Sequence, residues 1–220
     1  ARKLSFEHHR ISALNLAATL AGSKRLDLKL DAQDLKTGET ALASVDLRLA
    51  GTETAHRLDL TASQQPGQAL RLALDGSLSQ RERWQGRIRK GELEALKLGL
   101  WHIAPASLSY APKGSELKGL CLRQDAASLC ADAKATDSQN WSAKLSLDQL
   151  PLALLSAEVP ALTTDSSLNL RAQVTSNKGQ LGAQAEGTLS AGHLSYSPDS
   201  GEPRDLNHRG AQLSATLAGK

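Results

Sequence analysis

The chain has 220 residues, a net charge of +3 and an isoelectric point near 8.9, a mild basic balance that does not require a nucleic-acid partner. Hydrophobic residues make up 40% of it, but only 3% are aromatic, and methionine is absent even at position 1, so we expect a piece of a longer protein. There is no run of about 18 apolar residues, and the first ten residues do not resemble a signal peptide.

Leucine dominates the apolar residues, with 41 leucines against three valines and three isoleucines. A tightly packed interior usually combines branched and aromatic side chains of different shapes. A single repeated apolar side chain instead favours a uniform surface.

Leucines alternate with polar residues along most of the chain, at 26–30, 45–49, 58–60, 70–74, 96–100, 145–147, 168–171 and, more weakly, 181–189. This period of two gives a strand one apolar and one polar face, whereas a helix would point the same leucines in different directions. Turn signals separate the segments at 37–39, 65–67, 90–91, 112–114 and 177–179. The pattern predicts an all-β protein: an elongated, mostly antiparallel sheet, curled into a leucine-lined trough.

One apolar run, at about 151–159, breaks the alternation and has proline near each end. Proline is favoured in a first helical turn and stops a helix that precedes it, so we expect a short helix here. It either plugs an end of the sheet or acts as a gate in a groove. The segment 197–203 reads as a surface loop, and otherwise we expect 1–220 to form one continuous segment.

The cysteines, Cys121 and Cys130, are spaced for neither CxxC redox nor zinc chemistry. If they face each other across an antiparallel hairpin with its turn at 124–127, Leu122 faces Leu129 and Leu120 faces Ala131. Both cysteines then lie opposite the leucines. We predict a structural disulfide, and therefore an oxidising compartment, over the alternative of a redox switch.

The predicted apolar face is the candidate functional surface, because a flat sheet exposing so much leucine would aggregate in water. Either the leucines fill a closed sandwich, or the sheet curls into a trough that holds acyl chains, each methylene gaining about 0.8 kcal/mol on burial. The candidate groove residues are Leu26, Leu28, Leu30, Leu47, Leu49, Leu58, Leu60, Leu70, Leu72, Leu74, Leu96, Leu98, Leu100, Leu120, Leu122, Leu129, Leu145, Leu147, Leu168 and Leu170.

A basic run at 81–90 surrounds a tryptophan. It is either a solvated strand face, a set of headgroup contacts at the rim of the trough, or, least favoured, a nucleic-acid site. The candidate rim residues are Arg81, Arg83, Arg87, Arg89 and Lys90. The sequence has no HExxH, GxSxG, P-loop or GxGxxG motif, so we expect no enzyme, metal or cofactor.

Five sequence features resemble, in order, the motifs of the TamB family: GTETAHRLDL at 51–60, WQGRI at 84–88, Trp101 followed by PASL at 105–108, the pair LCL at 120–122 with LC at 129–130, and WSAKL at 141–145 leading into LPL at 150–152. The match is concentrated in about 47–155. The chain is therefore identified as similar to an internal fragment of a TamB-like bridge protein.

This resemblance implies a long periplasmic protein, anchored in the inner membrane outside this fragment, with an open β trough. It implies a TamA-like, Omp85-type partner in the outer membrane, reached through other parts of the protein. The implied function is passive conduction of phospholipid acyl chains toward the outer membrane. The alternative is a scaffold or chaperone for outer-membrane β-barrel proteins, acting through its strand edges, which would also let the fragment self-associate.

Overall fold

The structure, a computed structural model, describes residues 4–6, 9–22, 24–37, 40–65, 67–79, 82–157, 161–197, 202 and 204–218. The candidate rim residue Arg81 lies outside these residues. So do the last positions of the predicted helix and most of the predicted loop at 197–203.

The chain divides into two compact units. The first, unit 1, is Ala1–Pro112. Its strands are β1 (Leu4–Phe6), β2 (His9–Ile11), β3 (Ala13–Ala21), β4 (Arg25–Thr37), β5 (Thr40–Thr52), β6 (Ala55–Gln65), β7 (Gln68–Ser79), β8 (Arg83–Ala95), β9 (Gly99–Ile103) and β10 (Ala106–Ala111), with a 3₁₀ helix at Leu96–Leu98. The strands from β4 to β8 follow one another as antiparallel hairpins. At the two margins, β2 and β3 both pair with β4, and β9 and β10 both pair with β8.

The second unit, unit 2, is Lys113–Lys220. Its strands are β11 (Gly114–Gln124), β12 (Ala127–Ala135), β13 (Trp141–Pro151), β14 (Leu162–Thr164), β15 (Ser167–Asn177), β16 (Gln180–Leu189), β17 (Gly192–Tyr196), β18 (Arg204–His208) and β19 (Ala211–Leu217). The larger sheet has the order β11-β12-β13-β15-β16-β19, and β14-β17-β18 form a separate three-stranded sheet.

The predicted fold class is confirmed, since the described residues form antiparallel strands almost throughout. The turn predicted at 177–179 joins β15 to β16 through Lys178, with φ 53°, and Gly179, with φ 81°. A two-residue hairpin turn of type I′ needs positive φ at both positions, and glycine adopts this conformation without steric cost. The predicted short helix is confirmed as a 3₁₀ helix at Leu152–Ala157.

The strand predicted over 96–100 is wrong for 96–98, while residues 99 and 100 begin β9. Residues 96–98 form the 3₁₀ helix that reverses the chain between β8 and β9, and Leu96 and Gly99 have φ values of 27° and 78°. Leu96 and Leu98 are exposed at this reversal. Leu100 pairs with Glu94, one position away from the pair formed by Leu93 and Trp101. Because side chains alternate between the faces of a strand, Leu100 lies on the face opposite Leu93.

Candidate functional site

The strand register of unit 1 aligns leucines into rows that run across the sheet. Residues paired on adjacent strands lie on the same face, so each row is a set of neighbouring side chains. The first row is Leu16, Leu30, Leu47, Leu60, Leu72, Gly91 and Ile103. The second row is Ala18, Leu28, Leu49, Leu58, Leu74, Ile88 and Ala106.

Two further rows flank these on the same face. One consists of Leu14, Ala32, Val45, Ala62, Leu70, Leu93 and Trp101. The other consists of Leu20, Leu26, Gly51, His56, Gly76, Gly86 and Leu108. We call these four rows the leucine face of unit 1, and the opposite face its polar face. The leucine face contains no aspartate, glutamate, lysine or arginine, and its one histidine is His56.

A hydrogen-bonded pair of rings borders this leucine face at one end of the strands. Trp84 Nε1 donates to His56 Nε2 over 2.9 Å, and the rings stack with their centroids 6.4 Å apart. His56 Nδ1 lies 3.2 Å from the carbonyl oxygen of Thr52, to which it donates when Nε2 is the acceptor. Cβ atoms at Gly76 and Gly86 would collide with these two rings, so the glycines provide the space in which the rings lie.

A second tryptophan lies toward the other end of the strands. Trp101 is buried at 7% relative exposure, and its Nε1 donates to the carbonyl oxygen of Leu98 over 3.1 Å. An indole ring buries a large apolar surface while its N–H needs a partner. Both tryptophans satisfy that need locally, so neither leaves a free polar group on the leucine face.

Unit 2 has an apolar face of the same kind, which we call the leucine face of unit 2. Its leucine-rich rows are Leu122, Leu129, Leu147, Leu170, Gly187 and Leu213, and then Leu150, Leu168, Leu189 and Ala211. Its alanine-rich row is Leu120, Ala131, Leu145, Ala172, Ala185 and Ala215. These rows contain no charged side chain, and the smaller side chain of alanine occupies four of the six positions of the alanine-rich row.

Burial on these faces is partial, although Ala32, Ile88, Trp101, Ile103 and Ala106 of the leucine face of unit 1 are buried. The buried hydrophobic residues among those described are Ala32, Ala73, Ile88, Trp101, Ile103, Ala106 and Ala127. None of the leucines whose side chains the structure describes, a set without Leu4, Leu155 and Leu162, is buried, and those on the edge strands reach 74% exposure at Leu20 and 58% at Leu217. A closed sandwich filled by its own leucines would bury many of them. Partial exposure of the leucines is what the open alternative predicts, and the open trough stays a prediction.

The predicted disulfide is present, between Cys121 and Cys130. The predicted register is also present, since Leu120 pairs with Ala131 and Leu122 with Leu129. The disulfide consequently lies on the face opposite the leucines. Next to it, Gly119 adopts φ 72° in a bulge and donates its N–H to Asp132 Oδ1 over 2.6 Å. Bulge and disulfide together fix the register of this hairpin.

The candidate groove residues divide clearly. All of them lie on the leucine face of unit 1 or unit 2, except Leu96, Leu98 and Leu100. The prediction did not include the apolar residues of the edge strands, which are Leu14, Leu16, Leu20, Leu213 and Leu217. The signal for them was the alternation of alanine and leucine with polar residues, which is weaker than alternation of leucine alone.

The basic residues of β8 lie behind the leucines. Arg83, Arg87 and Lys90 occupy polar-face positions, offset by one from Trp84, Ile88 and Gly91. Arg89 lies in a bulge and forms ion pairs with Asp75 at 3.0 Å and Asp59 at 3.7 Å. This placement does not support the interpretation of the four residues as contacts along the rim of the leucine face.

One serine–histidine hydrogen bond occurs in unit 2, over 2.9 Å between Ser166 Oγ and His208 Nε2. The backbone N–H of Gly210 donates to His208 Nδ1, so Nε2 carries the ring proton and donates to the serine. In this tautomer the histidine cannot take a proton from Ser166, whose exposure is only 1%. The pair is a buried structural contact. Within the part of the chain described, no group of three or more histidine, cysteine or acidic residues is placed to hold a metal ion.

The loop between β12 and β13 is organised by Asp137. Its carboxylate accepts hydrogen bonds from the backbone N–H groups of Gln139 and Asn140 and from the Asn140 side chain. These bonds, with the Asn140 side chain first, lower the pKa of the exposed Asp137 carboxyl from its usual 3.8. Asn140 Oδ1 in turn accepts from the N–H of Lys178, which connects this loop to the β15–β16 turn.

These observations define an all-β protein whose two units each contain a large sheet with one polar face and one leucine-rich face. The family model for the TamB N-terminal domain matches residues 1–220. The chain therefore belongs to the TamB family. No curated protein and no solved structure matches it.

Membership in this family has direct consequences. TamB proteins are associated with the cell envelope, are bridge or transport modules rather than enzymes, and generally associate with TamA. Among the described residues, no helix is long and apolar enough to cross a membrane.

Proposed function

We propose that this chain is a periplasmic segment of an envelope bridge that passively conducts phospholipid acyl chains along its leucine faces toward the outer membrane. The observation that carries the proposal is that leucines on successive strands form rows, and that no leucine whose side chain is described is fully buried. The Cys121–Cys130 disulfide supports the periplasm, because disulfides persist in oxidising compartments.

An acyl chain matches the chemistry of these faces. Apolar surface of this extent needs an apolar cover in water, and each methylene that leaves water contributes about 0.8 kcal/mol. A ligand of defined shape is usually held by an enclosed pocket with a few convergent polar groups. The leucine rows of unit 1 offer neither, and His56, their one polar side chain, is already bonded to Trp84 and Thr52.

The direction of the rows supports movement. They run across the strands, so a ligand that slides by one strand, about 4.8 Å, meets nearly the same set of side chains. Leu47, Leu60 and Leu72 are successive neighbours in one row, with no polar residue between them. Similar contacts at each step mean similar binding energies, and no step traps the ligand. Each unit has its own rows, so sliding along one unit does not depend on one continuous trough over 1–220, which stays a prediction.

A second candidate function is a scaffold for the assembly of outer-membrane β-barrel proteins. It is favoured by the edge strands: in the part of the chain that is described, β3 pairs only with β4 and β19 pairs only with β16. An unpaired strand edge can add an incoming strand through backbone hydrogen bonds.

Uptake of an acyl probe by the purified chain separates these functions. After removal of lipid, a fluorescent fatty-acid probe should bind saturably and be displaced by phospholipid. A photoreactive residue at Ala17 on the β3 edge should then capture little unfolded barrel protein. If the probe does not bind saturably and Ala17 captures unfolded barrel protein strongly, conduction is refuted and the scaffold function is supported.

A further inference from the structure

A cleft of unit 1 is lined mainly by residues of the polar face, together with His56 and Gly76 from the last row of the leucine face. Its volume is about 600 Å³, and small side chains at Ala50, Ala55 and Ser77 contribute to its lining. Arginines from every second strand line it too: Arg25 on β4, Arg57 on β6 and Arg87 on β8. We call this site the arginine cleft. The small side chains keep the cleft open, and the long arginine side chains border it.

The charges of the arginine cleft do not cancel. Asp75 is the one acidic residue in the described lining, and its Oδ1 lies 3.5 Å from Arg57 Nε and 3.0 Å from Arg89 Nε. Arg25 and Arg87 have no ion-pair partner among the described residues. Two arginines therefore already neutralise Asp75, while two others remain unpaired. Elsewhere on the same face, Arg71 has two carboxylate neighbours, so unpaired arginine is not a general property of this surface.

We propose that the arginine cleft binds a phosphate group. Arg25, Arg57 and Arg87 come at two-strand intervals, about 10 Å apart, and neighbouring side chains of this length can reach a shared anion. The arginine guanidinium donates two parallel N–H bonds in a geometry that matches phosphate oxygens. A phosphate monoester carries a charge of about −1.5 to −2 at neutral pH, which matches the surplus of the cleft better than a single carboxylate does.

Phosphate titration followed by NMR tests this site in the whole 220-residue chain. Inorganic phosphate should shift the backbone amide signals of Ala55, Gly76 and Ser77 saturably, and potassium chloride at matched ionic strength should not. R25Q and R87Q should each weaken phosphate binding about tenfold through the loss of a charge-assisted bond. R71Q is the matched control, because it removes an equal charge from a paired arginine on the same face, and it should leave binding unchanged.

Two results would overturn the proposal: shifts that potassium chloride reproduces, or equal weakening by R71Q. Flotation with phosphatidic acid vesicles, against phosphatidylcholine vesicles, identifies the source of the phosphate. Binding of the former assigns a lipid headgroup, and phosphate binding without flotation assigns a free phosphate compound. L60R, which changes the opposite face, should leave phosphate binding intact, so failure of acyl-chain binding and failure of this site are distinguishable.

Discussion

Replacing Leu60 with arginine places a charge in the middle of a leucine row, between Leu47 and Leu72. If the guanidinium displaces an acyl chain from about four methylenes of contact, the loss is about 3 kcal/mol, or roughly a hundredfold in affinity. Stability should fall by only about 1 kcal/mol, because Leu60 is not buried and the arginine stem can lie along its neighbours.

Binding of a fluorescent fatty acid measures the acyl-chain affinity, and urea denaturation measures the free energy of unfolding. The matched control is T61R, which introduces the same charge at the next residue of β6 but on the polar face, beside Asp46 and Arg71. It should bind the probe as the unsubstituted chain does. The reasoning is refuted if L60R retains full affinity, or if T61R loses as much as L60R.

Three further predictions concern stability. Gly86→Ala should cost about 1–3 kcal/mol in urea denaturation, since its methyl meets the neighbouring indole ring, whereas Gly22→Ala, with nothing within 4 Å, should cost little; equal effects would contradict this. Replacing Cys121 and Cys130 with serine should cost about 2–3 kcal/mol, and an unchanged midpoint would exclude a stabilising bridge. Because folding lowers the pKa of Asp137, its contribution should be complete above 3.8 and be lost as the pH falls through the lower folded-state pKa; carboxyl NMR titration measures this, and a pKa at or above 3.8 would contradict it.

The sequence predicted which face each strand presents, because alternation with a period of two determines that directly. It predicted the Cys121–Cys130 register because one hairpin of short length allows few pairings. It failed at 96–100, where leucines flank a chain reversal, and alternation over five residues cannot distinguish a strand from a 3₁₀ helix followed by a glycine at positive φ. Gly99 was the one local signal of that reversal.

The sequence could not predict the register of the long strands, for a physical reason. A slip of two residues leaves every leucine on the same face, so the leucine pattern alone does not select one pairing. Specific contacts select it instead, such as the fit of His56 and Trp84 over Gly76 and Gly86. The arginine cleft was missed for a related reason, since its residues come together only once the lengths of five successive strands, β4 to β8, are known.

Photocrosslinking in the full-length protein in cells tests the central claim most directly. Photoreactive residues are placed in adjacent pairs that differ only in face: Leu60 against Thr61 in β6, and Leu145 against Lys144 in β13. Conduction along the leucine faces predicts phospholipid adducts at Leu60 and Leu145 and none at Thr61 and Lys144. Equal lipid capture from both faces, or capture of protein alone at Leu60 and Leu145, would contradict it.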